Sequence, residues 1–447
     1  MELTLAQIQQ ATQAQWLGPT TDLEAHARGW SIDSRSVATG DIFFAIKGER
    51  FDGHDFTNVA FERGALAAVI ETEPRASASG WLKVADTLEA LQQLAHWARR
   101  RWGRPVVAVT GSAGKTSTKD IIAELLGTRF RVGKTIGNLN NHLGLPLTLL
   151  RIPDDAEIAV VEMGMNHAGE IRQLAALAEP GYGVVTNVGY AHVESFDSIE
   201  GVAAAKRELI ESLPSTGIAI LNADDERVAK FGEVHSGRTI TYGFSEQADV
   251  RATDVEAQAF TVNGVRFRTS LSGRHSISNI LAGIAVATLF DLAPADLVDS
   301  IARLAPGKMR GERSEWRGVT ILNDAYNSNP EAARRMIDVL AAERATRKIA
   351  VLGEMLELGA MSETLHRELG SYAARSGVNA LVGIRGMSEL LVDEARKSGM
   401  PDRNVFFFED PDSAGTFLRR FVRAGDAILF KGSRGTQVER ALAKMEE

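Results

Sequence analysis

At 447 residues, with 44% hydrophobic and 24% charged side chains, the chain has a globular composition and is too long for one core, so two to four domains are expected. A net charge of −8 excludes the basic footprint of a nucleic-acid binder, and the lack of cysteine excludes disulfides and thiolate chemistry. The start MELTLAQIQQATQAQWLG does not read as a signal peptide, and no apolar stretch reaches bilayer length, which makes a cytoplasmic enzyme the expectation.

Residues 1–103 form the first expected domain. Leu3 to Thr12 reads as a helix. In SIDSRSVATGDIFFAIKGERFDGHDF, residues 31–56, apolar positions alternate and are punctuated by glycine, the pattern of a short strand pair. Ser34, Arg35 and His54 fall beside its turns, as functional groups or as solvated ones. Residues 86–101 read as a helix whose Arg99-Arg100-Arg101 terminus is solvated, and Trp102-Gly103-Arg104-Pro105 breaks the chain after it.

Residues 104–310 alternate strands and helices, as a mostly parallel sheet requires. Pro105–Thr110 is an apolar, β-branched run feeding Gly111-Ser112-Ala113-Gly114-Lys115-Thr116-Ser117, after which Ile121, Ile122, Leu125 and Leu126 recur at helical spacing. A strand, a small-residue loop and a helix N-terminus cradle phosphate; Lys115 reaches the outer phosphates and the Thr116 hydroxyl can ligate Mg²⁺. The usual spacing places a glycine where Val109 stands; here it falls at Gly111. Residues 137–146, GNLNNHLGLP, are too rich in Asn for a helix. Asn138, Asn140 and Asn141 there either bind a polar ligand or cap turns. Glu162 ends an apolar run and His192 follows another. In such sheets ligands collect at strand carboxyl ends, so Glu162 is placed either to hold Mg²⁺ or to form a structural ion pair. On periodicity alone Lys206 is an exposed helical lysine, and His275 and Asn279 share one face of a helix start.

In the third expected domain, 311–447, strands near 319–323, 348–352, 379–384, 404–408 and 426–430 alternate with five helices. The pattern is doubly wound, without GxGxxG at the first turn. Asp324, Tyr326 and Asn327, the segment 353–359, and Lys431-Gly432-Ser433-Arg434 all sit at strand ends, like a ligand-facing rim.

Several of these strings resemble the Mur ligase family and the related folylpolyglutamate synthases, which use ATP to join an amine to a carboxylate. They are TGSAGKTS, DSR followed by GDIFFAIKG and DGHDF, GNLNNHLGLP, TNVGYAH, the AKRE segment at Lys206, and GRHSISN. DAYNSNP, VLGEMLELG and KGSRG resemble the branch that adds D-alanyl-D-alanine (D-Ala-D-Ala) to UDP-N-acetylmuramoyl-tripeptide (UDP-MurNAc-tripeptide); the DNPR signature of the diamino-acid-adding branch does not occur.

The resemblance implies an α/β protein of three domains. They are a small N-terminal UDP-binding domain, 1–103, a central P-loop mononucleotide-binding domain, 104–310, and a C-terminal Rossmann-like domain binding the incoming dipeptide, 311–447. It implies Ser34, Arg35 and His54 near the uridine diphosphate, and Asn138, Asn140 and Asn141 facing the sugar-peptide. It implies His275 and Asn279 at adenine, with Arg310, Asp324 and Asn327 at ATP, and Tyr326, Lys431, Ser433 and Arg434 at substrate. Two Mg²⁺ sites follow from it, drawing on Thr116, Glu162, His192 and Lys206, the last as a carbamate. The expected partners are the two substrates, without nucleic acid or membrane span, and the expected state is a monomer.

The chemistry is coherent. A carboxylate does not acylate an amine at neutral pH until phosphoryl transfer makes it an acyl phosphate, which calls for phosphate positioning, charge neutralisation and exclusion of water. The chain offers those parts and no evident Ser-His-Asp or Cys nucleophile. His192 and Asp324 are both candidates for the general base. A sister ligase adding another amine and a P-loop regulatory NTPase are the competing readings.

Overall fold

The computed structural model describes residues 1–17, 23–74 and 80–447. Its centre is a seven-stranded sheet in the spatial order Val250–Arg251, Arg238–Gly243, Ile218–Asn222, Tyr182–Val185, Val106–Thr110, Ile158–Glu162 and Val132–Lys134. Every pairing is parallel. Its inner strands are Val, Ile and Ala runs buried on both faces, as helices packed above and below a parallel sheet demand. The strand order reverses between Val106–Thr110 and Tyr182–Val185. The connections leaving those two carboxyl ends diverge and open a crevice between them.

The C-terminal sheet has six strands in the order Glu312–Trp316, Val319–Asp324, Ala427–Lys431, Lys348–Gly353, Ala380–Ile384 and Val405–Phe408. Ala427–Lys431 is inserted between Val319–Asp324 and Lys348–Gly353, so the three polar strand ends emerge side by side. The N-terminal sheet has five strands; of the pair expected within 31–56 only Asp41–Phe44 lies wholly there, and it pairs in parallel with Gly29–Ser31, which ends where that segment begins.

Four expectations are corrected. The first helix spans Leu5–Thr12, two residues later than the apolar pattern starts, because Thr4 caps it in a box with Gln7. Arg99 is buried rather than solvated: its guanidinium donates to the carbonyls of Ala178 (2.7 Å) and Glu179 (3.1 Å), tying the N-terminal domain to the central one. The Asn-rich segment runs into a helix, Gly144–Leu150, because Asn141 Oδ1 accepts from Gly144 N (2.8 Å) and Pro146 sits in the first turn, where no donor is needed. The strands Thr253–Glu256, Ala259–Val262, Val265–Arg268 and Glu312–Trp316, all antiparallel, escape the sequence reading because several carry charges at exposed positions. Among the described residues no helix is long and apolar enough to cross a membrane.

Candidate active site

The phosphate loop occupies the central crevice. Gly111 has φ +148°, and a Cβ there would lie 1.9 Å from Thr186 Oγ1; Gly114 has φ +80° and faces Asn279. The loop is held from behind. Asn187 accepts from Ala113 N and donates to Ala113 O (both 2.9 Å), Thr186 donates to the same carbonyl (2.7 Å), and Ser112 Oγ bonds Gly189 through both its N and O. The helix Lys115–Leu126 begins at Gly114 with no side-chain cap. Its first backbone N–H groups are therefore free to meet an anion. Lys115 Nζ meanwhile rests on Gly111 O at 2.7 Å.

A cavity of about 760 Å³ opens in front of the loop. It collects Ser112 to Ser117, Asn138, Asn140, Asn141, Glu162, His192, His275, Asn279, Arg310, Asp324, Tyr326, Asn327 and Lys431. Sites expected from separate stretches of both domains thus share one space, floored by the central domain and roofed by the C-terminal one. The roof is bonded down: Asn329 Nδ2 donates to Ser112 O (3.3 Å), and Tyr190 N donates to the half-buried Glu331 carboxylate (3.2 and 3.3 Å). His192 Nδ1 lies 2.6 Å from Glu357 Oε2.

Glu162 is 2% exposed. One oxygen accepts from Asn140 Nδ2 (2.7 Å), and the other has no partner. An orphaned buried carboxylate oxygen facing a phosphate loop fits a hard divalent cation. Among the described residues no three His, Asp or Glu side chains cluster as a metal cage. Mg²⁺ takes one or two carboxylates and completes its shell with phosphate oxygens and water. Thr116 and Glu162 are the donors available for it.

Lys206 is 1% exposed, against the exposed position its local pattern implied, and makes no hydrogen bond or ion pair among the described residues. It lies four residues after Val202 and three before Leu209, on the buried face of the helix Ile199–Glu211. Burial, and after it the Lys115 cation, holds its amine well below the ordinary lysine range. Burial also lowers the Lys115 pKa, with Glu162 opposing the shift and Arg310 adding to it. His275 is pushed down to about 4 by burial and by the cations of Arg335 and Lys431.

Other expected residues lie elsewhere. Ser34 is buried in a 3₁₀ turn, and Arg35 pairs with Asp33 (2.7 Å) on the surface. His54 has both ring nitrogens engaged, Nδ1 by Asp52 (2.6 Å) and Nε2 by Glu71 N (2.9 Å). None of the three lines the cavity. Ser433 is buried, accepting from Leu356 N (2.9 Å), and Arg434 pairs outward with Glu439 (2.8 Å). Sequence reasoning missed Asn187, Arg335 and Glu331, and reached Glu357 only as part of the 353–359 rim. Of the three missed, Asn187 alone carried a signal, being the strand-end carboxamide of TNVGYAH.

Such a cavity, closed by two α/β domains over a phosphate loop, belongs to a P-loop enzyme that spends a nucleotide. The sequence matches three Mur ligase descriptions in succession: the Mur ligase family catalytic domain over 26–99, the Mur ligase middle domain over 109–287, and the Mur ligase glutamate ligase domain over 309–434. It is 38% identical over 431 residues to the UDP-N-acetylmuramoyl-tripeptide–D-alanyl-D-alanine ligase of Bacillus subtilis, covering 94% of this chain and 93% of that one. Its fold is similar to a crystal structure of MurF from Acinetobacter baumannii, with TM-score 0.91, 30% identity and coverage of 100% and 99%. It is also similar to MurF ligase from Thermotoga maritima in complex with ADP, with TM-score 0.82, 32% identity and coverage of 94% and 97%. The chain belongs to the Mur ligase family.

Proposed function

We propose that the protein uses ATP to join D-Ala-D-Ala to the terminal carboxylate of UDP-MurNAc-tripeptide, giving the pentapeptide precursor, ADP and phosphate. The observation that carries this reading is that the phosphate loop and the C-terminal rim residues Asp324 and Lys431 line a single cavity. The likeness to the Bacillus subtilis ligase over nearly the whole chain supports the choice of substrates, and the ADP of the Thermotoga maritima relative supports the nucleotide.

The work divides by domain: 1–103 holds the UDP end, 104–310 holds ATP, and 311–447 delivers the dipeptide. Lys115 and the free N–H groups of its helix hold the phosphates in line with the acceptor carboxylate, whose oxygen attacks the γ-phosphorus and expels ADP. The roof keeps water from the acyl phosphate, and the dipeptide amine attacks its carbonyl carbon, expelling phosphate. Asn279 and the neutral His275 face the adenine. Mg²⁺ ions, one at Thr116 and Glu162 and one at His192 and Lys206, would supply charge neutralisation between the two anions. Lys206, buried, unpaired and readily neutral, suits addition of CO₂ to its amine with loss of one proton, which turns a misplaced cation into an oxygen ligand.

Phosphate release measured with ATP and the tripeptide substrate, with and without D-Ala-D-Ala, tests the reading. Steady release only when both acceptors are present is expected. Release with ATP alone at the same rate would instead identify a regulatory NTPase.

A further inference from the structure

The seam between the central and C-terminal domains contains an unusual pair. His192 has φ +62° and Glu357 has φ +64°, both left-handed and neither glycine. Such backbone is costly and persists only where its surroundings fix it, most often at functional sites. Here the two residues meet: Nδ1 of His192 is 2.6 Å from Glu357 Oε2, and Glu194 N donates to Glu357 O at 3.1 Å. The Glu357 loop is itself anchored from behind. Met355 N donates to Nε2 of the fully buried His366, and Leu356 N donates to Ser433 Oγ, both at 2.9 Å. His192 borders the cavity, and its Nε2 has no hydrogen-bond partner among the described residues.

We propose that Glu357 is a positioning residue: its carboxylate accepts the Nδ1 proton of His192 and so leaves the Nε2 lone pair facing the cavity. An imidazole that ligates metal gains orientation and basicity from such a carboxylate behind it, and loss of the carboxylate weakens metal binding. The carboxylate comes from the other domain. The His192 end of the site is therefore oriented only while the C-terminal domain is docked, which ties the arrival of the dipeptide-carrying domain to readiness for phosphoryl transfer. This rests on the reading of His192 as a ligand given above.

The test has two arms, on the full-length protein. In the first, the ¹⁵N-labelled histidine rings of the metal-free, substrate-free protein are observed by NMR at pH 8.5, with His192 assigned by its loss in His192→Gln. The wild type should carry its proton on Nδ1. Glu357→Ala should move it towards Nε2, while Glu357→Gln, which keeps an acceptor oxygen, should hold it. The alanine variant retains the backbone bond to Glu194, so docking is not removed with the side chain. In the second arm, half-saturating Mg²⁺ for phosphate release should rise about 10–100-fold in Glu357→Ala and less in Glu357→Gln. An alanine variant that keeps the Nδ1–H form, or whose Mg²⁺ saturation does not move, overturns the proposal. The first arm needs no turnover, so it stays readable if the ligase reading itself fails in the wild type.

Discussion

The central and C-terminal sheets place polar loops at the same kind of position, the carboxyl ends of strands where the order changes, yet they furnish them differently. In the central domain the groups are left wanting partners: Glu162 has a free buried oxygen, Lys206 has no counter-ion, and the helix at Lys115 has no cap. In the C-terminal domain the equivalent groups satisfy one another. Lys431 is ion-paired with Asp324, its register neighbour, and also donates to Asn327 O (3.0 Å), while Ser433 and His366 pin the 353–359 loop. Unpaired groups are a standing cost that a bound anion and cation would relieve. The contrast fits the proposed division, with the reacting charges at the first sheet and the docking of substrate at the second.

The comparison breaks most readily at Lys115. Lys115→Ala should lower kcat about 10²–10³-fold, equivalent to about 3–4 kcal/mol of transition-state stabilisation, with an unchanged circular dichroism spectrum. Retention of a tenth of the wild-type rate would remove the lysine from that role.

Lys431→Met should act in the opposite sense, on stability first. It strands the partly buried Asp324 carboxylate, for which about 3 kcal/mol is the lower end of the cost of breaking a buried pair. Chemical denaturation should report that loss, and an unchanged midpoint would mean that the pair contributes nothing net.

If Lys206 carries the proposed carbamate, Lys206→Ala should lose about 10–100-fold in rate, and added acetate should restore part of it, because a carbamate acts only as an oxygen ligand that a free carboxylate can replace. A variant at full activity would return Lys206 to a purely structural place in its helix.

The smallest effect concerns His275. Its folded pKa of about 4 lies below the unfolded value near 6.5, so its contribution to stability is fully present above about pH 6.5 and is lost as pH falls towards 4. His275→Gln should flatten that acid limb in thermal melts. A titration step near 6.5 in the KM for ATP that disappears in the variant would show instead that the ring is solvated.

Much of this was legible in the sequence, for physical reasons that differ by element. Hydrophobic periodicity marks the helices Pro330–Ala342 and Ser362–Arg375, because a doubly wound sheet buries one stripe of each. The phosphate loop is legible because its glycines answer a backbone constraint that no other residue meets. Lys206 could have been found by its spacing from Val202 and Leu209, but an isolated lysine in an Ala-rich stretch reads as exposed. Arg99 misled for the opposite reason, since a basic helix end looks solvated until a second domain lies against it. Glu357 was legible only as a member of the 353–359 rim and Glu331 not at all, because their partners, His192 and Tyr190, lie more than a hundred residues away in another domain.

Transfer of oxygen isotope tests the central claim most directly. With ¹⁸O in both oxygens of the tripeptide's terminal carboxylate, ordinary water and D-Ala-D-Ala, attack on the γ-phosphorus followed by amine attack on carbon must carry one labelled oxygen into each phosphate released. Phosphate bearing one ¹⁸O per turnover is the predicted result. Unlabelled phosphate, formed at the same rate, would mean that water takes the γ-phosphoryl group and that the cavity does not activate a carboxylate.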